Sequence, residues 1–228
     1  MKKQVLLSTQ TVHPESDYNE IARLGQKLGI PVLQVFLSLE VTKKGKLIDS
    51  FKDRSRTFNR NFWNAQMMLN LLSPGVATNF GAGYISMKAF PAGGVNAITV
   101  MGGWTPLGII NSSNYGILVG IGTAAESFEG YKLSTLCANG SGANQLVHTA
   151  ASPNTQSYDA PSRTWTITLK RIFNNNSGAP IVAAETAIIA TSSSGAFMFN
   201  RDLLAEAVNI PVGAQLTVSY AFTLTLPA

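Results

Sequence analysis

The C-terminal stretch from Leu216 to Leu226 carries the strongest structural signal in the sequence, because large apolar residues alternate there with small or hydroxyl-bearing ones. The apolar positions are Leu216, Val218, Tyr220, Phe222, Leu224 and Leu226. A period of two places them on one face of a β-strand. Such a strand cannot stand alone, since its apolar face needs a second layer and its backbone needs neighbouring strands. The stretch therefore predicts a strand within a layered β-structure.

Strand signals recur at regular spacing from residue 114 onwards. The predicted strands cover residues 115–121, 164–171, 180–190 and, as a short element, 196–199. Turn-forming clusters rich in Asn, Ser and Gly separate them. The spacing predicts a mainly β chain whose residues 114–228 form an antiparallel β-sandwich or jelly-roll-like domain.

The first 74 residues instead predict a smaller α+β region with an extended arm at its start. A helix begins near Ser16, carries an apolar stripe and ends at Gly29. A strand over 32–41 and a return over 47–51 then form a hairpin, and a long helix follows from Ser55 to Leu72. Residues 75–113 are rich in glycine and predict loops with one or two short strands, including one over 97–101.

The predicted helix from Ser55 to Leu72 supplies the candidate subunit contacts. Its apolar residues recur at helical spacing, while three arginines crowd its N-terminal end, where the helix dipole disfavours cations. These arginines need carboxylates, either from Asp49 and Asp53 or from a partner. The apolar residues favour either packing onto the following domain or self-association. The candidate contacts are Arg54, Arg56, Phe58, Arg60, Phe62, Trp63, Leu69 and Leu72.

Charge is scarce and unevenly distributed. Charged residues make up 13% of the chain, about half the usual share, so the surface is either rich in uncharged polar residues or buried against partners. Residues 1–60 hold eleven Lys/Arg against six Asp/Glu, and the remainder is neutral. This basic part is either a solvated face or an arm that contacts an acidic partner or packaged nucleic acid. It has neither the dense basic run nor the interleaved aromatics that nucleic-acid binding favours.

Residues for catalysis or cofactor binding do not form a recognisable pattern. One cysteine and two histidines exclude an intramolecular disulfide and a Cys/His metal cluster within one chain. The run Gly120–Ala125 matches a dinucleotide-binding turn, but neither the following helix nor the ribose-binding acidic residue is present, so it predicts a tight strand exit. We therefore expect no enzyme activity, no metal and no cofactor. No apolar run reaches the ~18 residues of a membrane span, which predicts a soluble protein made in the cytoplasm without a membrane partner.

Several short stretches resemble a group of tailed-bacteriophage virion structural proteins. The stretches are Lys46–Asp49, Arg54–Phe62, Gly120–Thr123, Glu126–Leu133, Arg171–Asn175, Asn200–Asp202 and Gly213–Tyr220. The resemblance implies a subunit of the head, neck or tail of a particle that is assembled in the host cytoplasm. The expected partners are copies of the chain itself and capsid, portal or tail proteins.

Two functions remain open from the sequence. The first is a virion structural protein, such as a capsid decoration protein or a head–tail or tail component, that acts by oligomeric packing. The alternative is a carbohydrate-binding or host-receptor-recognition module in which Trp104, Tyr115 or Tyr158 stacks on a sugar.

Overall fold

The computed structural model describes residues 15–71, 86–97, 111–192 and 195–227, which are mainly β with antiparallel sheets, as the sequence predicts. The predicted arm over residues 1–12 lies outside this part. The helices are α1 (Glu15–Leu28) and α2 (Arg60–Leu71). The strands are β1 (Val32–Lys43), β2 (Lys46–Arg54), β3 (Ser86–Lys88), β4 (Val95–Ala97), β5 (Gly116–Gly120), β6 (Val147–His148), β7 (Ser152–Asp159), β8 (Thr164–Asn174), β9 (Ile181–Ser192), β10 (Gly195–Ile210) and β11 (Gln215–Thr225).

The large sheet has the strand order β2-β1-β11-β8, and both β6 and β7 pair with the far side of β8. The alternation that predicts β11 is confirmed, because Leu216, Val218 and Tyr220 are completely buried. Their partners on β1 point to the same face, with Leu37 opposite Tyr220. The buried face of this sheet therefore follows directly from the period-two patterns of β1 and β11.

The first hairpin and the last strand belong to one sheet. β1 pairs with β11 over eleven residues, from Val32 opposite Thr225 to Thr42 opposite Gln215. The ranges 1–74 and 114–228, which the sequence divides into separate regions, thus contribute strands to the same sheet. The turn between β1 and β2 uses Lys44 and Gly45, both with positive φ, as a two-residue hairpin of this twist requires.

The three-stranded sheet, in the order β10-β9-β5, lies against the large sheet. One cluster of buried residues draws from both sheets, with Ile117, Ile188 and Leu204 on one side and Leu39 and Val218 on the other. A second apolar cluster covers the opposite face of the three-stranded sheet. Residues 183–190 of β9 are consequently all buried, which accounts for their lack of alternation.

Helix α1 packs closely against the large sheet at Gly25, which has no side chain. Gly25 is buried against Val32, where an added Cβ would come within 2.2 Å of a valine methyl carbon. The helix ends at Gly29, whose φ of +69° provides the left-handed residue of a helix C-terminus. The predicted apolar stripe of Ile21 and Leu24, continued by Leu28, remains exposed.

Four elements differ from the sequence prediction. Helix α2 begins at Arg60 rather than Ser55, because residues 55–59 run in extended fashion along β10. The predicted short strand over 196–199 is the start of the sixteen-residue strand β10. Strand β7 was not predicted, since its sequence lacks apolar alternation. The predicted short strand over 97–101 is represented only by Ala97 at the end of β4, and its remaining residues lie outside the described ranges.

Candidate subunit-contact site

The segment between β2 and α2 is fastened to β10 by hydroxyl groups. Ser55 Oγ and Thr57 Oγ1 donate hydrogen bonds to the two carboxylate oxygens of Asp202, each at 2.8 Å. Phe58 forms a β-bridge with Asn200. Small hydroxyl residues suit this role because their side chains can donate hydrogen bonds to a buried carboxylate. They also readily adopt extended backbone conformations in place of a helix. These contacts explain why the helix begins five residues later than its apolar periodicity predicts.

Asn59 starts helix α2 and ties it to two other segments. Its Oδ1 accepts a hydrogen bond from the Phe62 N–H at 3.3 Å, which makes it the N-cap of the helix. Its Nδ2 donates to the carbonyl oxygens of Gly130 and Met198 at 2.9 and 2.8 Å. The position of α2 is therefore set by one completely hydrogen-bonded amide side chain.

An aromatic cluster joins α2 to both sheets. The ring centroid of Phe62 lies 4.3 Å from that of Phe58 and 5.8 Å from that of Phe199 on β10. Phe58 in turn lies 6.2 Å from Phe222 on β11. Phe62 is almost fully buried by these contacts. The apolar residues predicted as a helical row thus pack within the chain at Phe58 and Phe62, although Phe58 precedes the helix.

Each of the three candidate arginines has a carboxylate partner within the chain. Arg54 ends β2, pairs with Glu15 of α1 and lies over the ring of Tyr18 at 4.3 Å. Arg56 pairs with Asp53 at 3.1 Å, one of the two aspartates that the sequence offered. Arg60 pairs with Glu129. The unfavourable position of a cation near the start of α2 is offset by this glutamate.

The exposed part of the candidate site is smaller than the predicted set. The exposed fractions of the Arg54 and Arg56 side chains are 12% and 21%, against 57% for Arg60. Trp63 is half exposed, and Phe128, whose ring lies 5.7 Å from the Arg60 guanidinium, is equally so. We call Arg60, Trp63 and Phe128 the α2 surface. Leu69 lies within α2, but its side chain falls outside the described part, as does the whole of Leu72.

Behind this surface, a buried glutamate organises the loop that follows β5. Glu185 on β9 is completely buried and accepts hydrogen bonds from the backbone N–H groups of Gly122, Ser134 and Thr135 at 3.2, 3.0 and 2.8 Å. Arg201 on β10 donates its Nε–H to the same carboxylate. The carboxylate is thus satisfied by one cation and three amides, which is what burial of a charge requires.

Two glycines, one at the end of β5 and one just after it, make room for this carboxylate. A Cβ on Gly120 or Gly122 would lie 2.5 or 2.6 Å from Glu185 Oε1. The other end of the Arg201 guanidinium donates to the carbonyl oxygens of Ala124 and Ala125 at 2.7 and 3.1 Å. The glycine-rich run therefore wraps an internal ion pair: its Gly122 N–H binds Glu185, and its Ala124 and Ala125 carbonyl oxygens bind Arg201.

A second buried carboxylate connects the two sheets. Asp202 on β10 accepts from Tyr220 OH on β11 at 2.9 Å, and this hydroxyl also lies 2.7 Å from Thr186 Oγ1. Burial raises the pKa of Asp202 to about 6, although its hydroxyl donors act in the opposite direction. Burial also raises the pKa of Tyr220 well above its ordinary value. The cavity beside Asp202 has a volume of about 260 Å³ and is also lined by Asp53, Arg56 and Glu126.

A third polar cluster holds the segment before β5. The guanidinium of the buried Arg171 donates to the carbonyl oxygens of Ser112, Tyr115, Ile117 and Thr149, at 2.7 to 2.9 Å. Burial lowers its pKa to about 10. His148 is buried beside it, with Nδ1 and Nε2 at 2.8 and 2.9 Å from the carbonyl oxygens of Ser112 and Cys137. Burial also lowers the pKa of His148.

These three polar clusters hold segments of the chain together. Burial raises the pKa of the Cys137 thiol to about 12, which keeps this thiol protonated. Among residues 15–71, 86–97, 111–192 and 195–227, no group of three or more His, Cys, Asp and Glu could hold a metal ion. In the same ranges, every helix is too short or too polar to cross a membrane.

Sequence reasoning missed the residues that organise the interior. None of Glu185, Arg201, Arg171 and Asp202 is among the candidate contacts that the sequence predicts. One signal could have identified Glu185: it is the single charged residue in the apolar stretch 180–190. A charge inside a buried strand requires a partner, and Arg201 lies on the next strand.

No protein-family model matches the chain, and neither the curated proteins nor the solved structures that were compared with it provide a match.

Proposed function

We propose that this chain is a virion structural protein of a tailed bacteriophage that acts by packing against other subunits of the particle. In this proposal the two sheets form a β-sandwich whose surface is occupied by neighbouring subunits. The observation that carries it is the number of large apolar side chains left exposed on a chain with 13% charged residues. They include Ile21, Leu24, Leu28, Leu33, Phe36, Leu47, Ile48, Trp63, Phe128, Trp165 and Ile167.

This surface suits permanent burial better than exposure to water. Apolar area contributes roughly 25 cal/mol per Å² when it is removed from water, and the low charge density keeps the accompanying desolvation cost small. The α2 surface combines an arginine with two aromatic side chains, which are the residue types enriched at the energetic centres of protein interfaces. In contrast, the charged groups of the interior have partners within the chain: Glu185 binds Arg201, and Arg171 binds backbone carbonyl oxygens.

The test is the location and copy number of the protein in purified particles. We expect quantitative mass spectrometry of particles from the phage that carries this gene to find the chain in many copies per particle. Immunogold labelling would then place it on the head, neck or tail. Absence of the chain from washed particles, together with a monomer in light scattering at every concentration, would overturn the proposal.

A pair of neighbouring aromatic rings favours a second candidate function, carbohydrate or host-receptor recognition. Tyr158 on β7 and Trp165 on β8 are both exposed, and their ring centroids lie 5.0 Å apart. Such a pair, with its rings tilted by 34° to each other, offers an apolar surface on which a sugar ring could stack. Of the other candidate aromatics, Tyr115 is half-buried, and Trp104 lies outside the described residues.

Glycan-array binding by the purified protein tests this second candidate. Binding that is lost in Trp165→Ala and kept in Trp63→Ala would support it. No binding by the unmodified protein would exclude it for the glycans on the array.

A further inference from the structure

The two outer edges of the large sheet differ in how they are protected. β2 forms one edge and carries charges of both signs along its length, at Lys46, Asp49, Lys52 and Asp53. Its pairing with β1 is also interrupted by a register shift near Val41. Charged side chains and irregularities are the usual means by which an edge strand avoids pairing with another chain.

Strand β7 forms the other edge, and its one register shift against β8 lies near its beginning, between Ser152 and Thr155. From Thr155 to Tyr158 its pairing is regular and lacks the charges that protect β2. Residues 153–159 are exposed, and no strand among the described residues pairs with the side of β7 that faces away from β8. From Ser152 to Tyr158 there is no ionisable side chain apart from the tyrosine phenol, and Asp159 is the first charge. Pro153 removes one N–H near the beginning of the strand, which leaves 154–158 as an open pairing surface.

We infer that β7 pairs antiparallel with β7 of a second copy of this chain. The two-fold axis passes through the sheet near Gln156, so that Gln156 lies opposite its own counterpart and Thr155 lies opposite Ser157. This inference rests on the proposed function insofar as that function requires self-association. It names the strand through which one such contact is made.

A second copy fits this edge because a two-fold axis opposes identical residues. When a strand pairs with a second copy of itself, a charged side chain near its centre lies close to the same charge, and the two repel each other. The centre of β7 carries no charge. The Gln156 amide can hydrogen-bond to its counterpart, and the Thr155 hydroxyl lies opposite the Ser157 hydroxyl of the second copy. The backbone N–H and C=O groups of the open edge obtain the partners that only another strand supplies in a regular ladder.

Apolar side chains next to the edge strengthen the same arrangement. Gln156 and Tyr158 are register partners of Ile167 and Trp165, which places all four side chains on one face of the sheet. An axis perpendicular to the sheet keeps corresponding faces of two copies on the same side. The exposed Tyr158, Trp165 and Ile167 of both copies then form one apolar strip across the joined sheet.

Two charge variants test this pairing and its register. Thr155→Lys/Ser157→Lys places lysine opposite lysine twice, whereas Thr155→Lys/Ser157→Glu places lysine opposite glutamate twice. We expect the Lys/Lys variant to raise the dimer dissociation constant at least tenfold in analytical ultracentrifugation. We expect the Lys/Glu variant to bind as tightly as the unmodified protein or more tightly. Circular dichroism would confirm that both variants are folded.

A cysteine at the centre of the strand provides a second measurement. Gln156→Cys would face its counterpart across the axis, within the distance that a disulfide spans. The native Cys137 is completely buried and does not compete. Mild oxidation should give a covalent dimer for Gln156→Cys. The control variant Ser50→Cys carries its thiol on the β2 edge and should give no covalent dimer.

The possible results separate this inference from the proposed function. An oligomer that responds to neither charge variant, or a Gln156→Cys protein that stays monomeric on oxidation, overturns the β7 pairing and leaves the virion proposal standing. A protein that is monomeric at every concentration also overturns the β7 pairing. The proposed function is overturned only if the protein is both monomeric at every concentration and absent from the particle.

Discussion

Arg201 and Arg60 each pair with one glutamate, but they do so at opposite extremes of burial. The Glu185–Arg201 pair lies in the interior, where the exposed fractions of the two side chains are 0% and 9%. The Arg60–Glu129 pair lies on the α2 surface, where the corresponding fractions are 57% and 42%. Both pairs join an element of the fold to the loop that follows β5.

The two pairs are expected to contribute to the stability of this chain to very different extents. A buried pair must be compensated completely, because loss of one partner leaves the other uncompensated away from water. An exposed pair is hydrated and screened, so its loss changes the free energy of unfolding little. The interior pair thus determines whether the loop after β5 folds, and the surface pair is available to a partner.

The largest effect is expected for Glu185→Gln. This change leaves the Arg201 guanidinium buried without its anion. It also replaces one of the two carboxylate oxygens, which together accept hydrogen bonds from three backbone N–H groups, with an NH2 group that cannot accept. We expect the free energy of unfolding to fall by about 3–5 kcal/mol, measured by urea denaturation. Glu206→Gln, an exposed glutamate on β10, is the matched control and should change stability little. Equal stability of the two variants would contradict a structural role for the interior pair.

The next effect concerns the pH dependence that Asp202 imposes. Folding raises the pKa of this carboxyl from 3.8 to about 6. The folded state therefore holds a proton that the unfolded state has released, so the contribution to stability is complete below pH 4 and is lost as pH rises to 6. Two pKa units correspond to about 3 kcal/mol.

This pH effect is isolated by comparison with a variant that does not titrate. Between pH 4 and 7, the free energy of unfolding of the unmodified protein should decrease relative to that of Asp202→Asn. The exposed Asp159→Asn should behave as the unmodified protein does. Parallel pH profiles for all three proteins would show that Asp202 is ionised throughout this range.

A smaller loss is expected for Gly122→Ala, which tests the space around the interior pair. The added Cβ would meet Ser134 Cβ at 2.5 Å, Glu185 Oε1 at 2.6 Å and Thr135 N at 2.7 Å. Displacing these atoms should cost about 1–3 kcal/mol in the same denaturation measurement. Gly178→Ala is the control, because a Cβ there meets no atom within 4 Å. Equal stability of Gly122→Ala and Gly178→Ala would show that the loop after β5 can accommodate a methyl group at Gly122, which would contradict the close packing around this residue.

The parts of the fold that the sequence predicts are those determined by local periodicity. β1 and β11 were predicted because each alternates over its own length, and their inward residues are the buried ones. Helix α1 ends at Gly29 as predicted, since the signal lies in that residue. β7 carries no such signal and becomes a strand only because β8 pairs with it.

The parts that were missed depend on partners distant in the sequence. Helix α2 loses its expected first turn because Ser55 and Thr57 bind Asp202, which lies about 145 residues further on. The pairing of β1 with β11, and of Glu185 with Arg201, likewise requires the strand order, which no local pattern contains. The sequence treats all candidate contacts alike, and its local pattern could not show that Arg60 and Trp63 are exposed whereas Phe62 is buried.

The smallest effect on stability, and the most direct test of the surface pair, is expected for Arg60→Ala. Because this pair is exposed, the free energy of unfolding should change by less than about 1 kcal/mol. If the α2 surface contacts a partner, the same change removes an arginine from the interface and should lower incorporation into particles severalfold in competition with the unmodified protein. Arg23→Ala, which removes the exposed pair with Glu20 on α1, is the control for loss of one surface charge. Arg60→Ala incorporation equal to that of Arg23→Ala would exclude Arg60 from the subunit contact. A large loss of stability would instead place the Arg60–Glu129 pair among the structural pairs, with Glu185–Arg201.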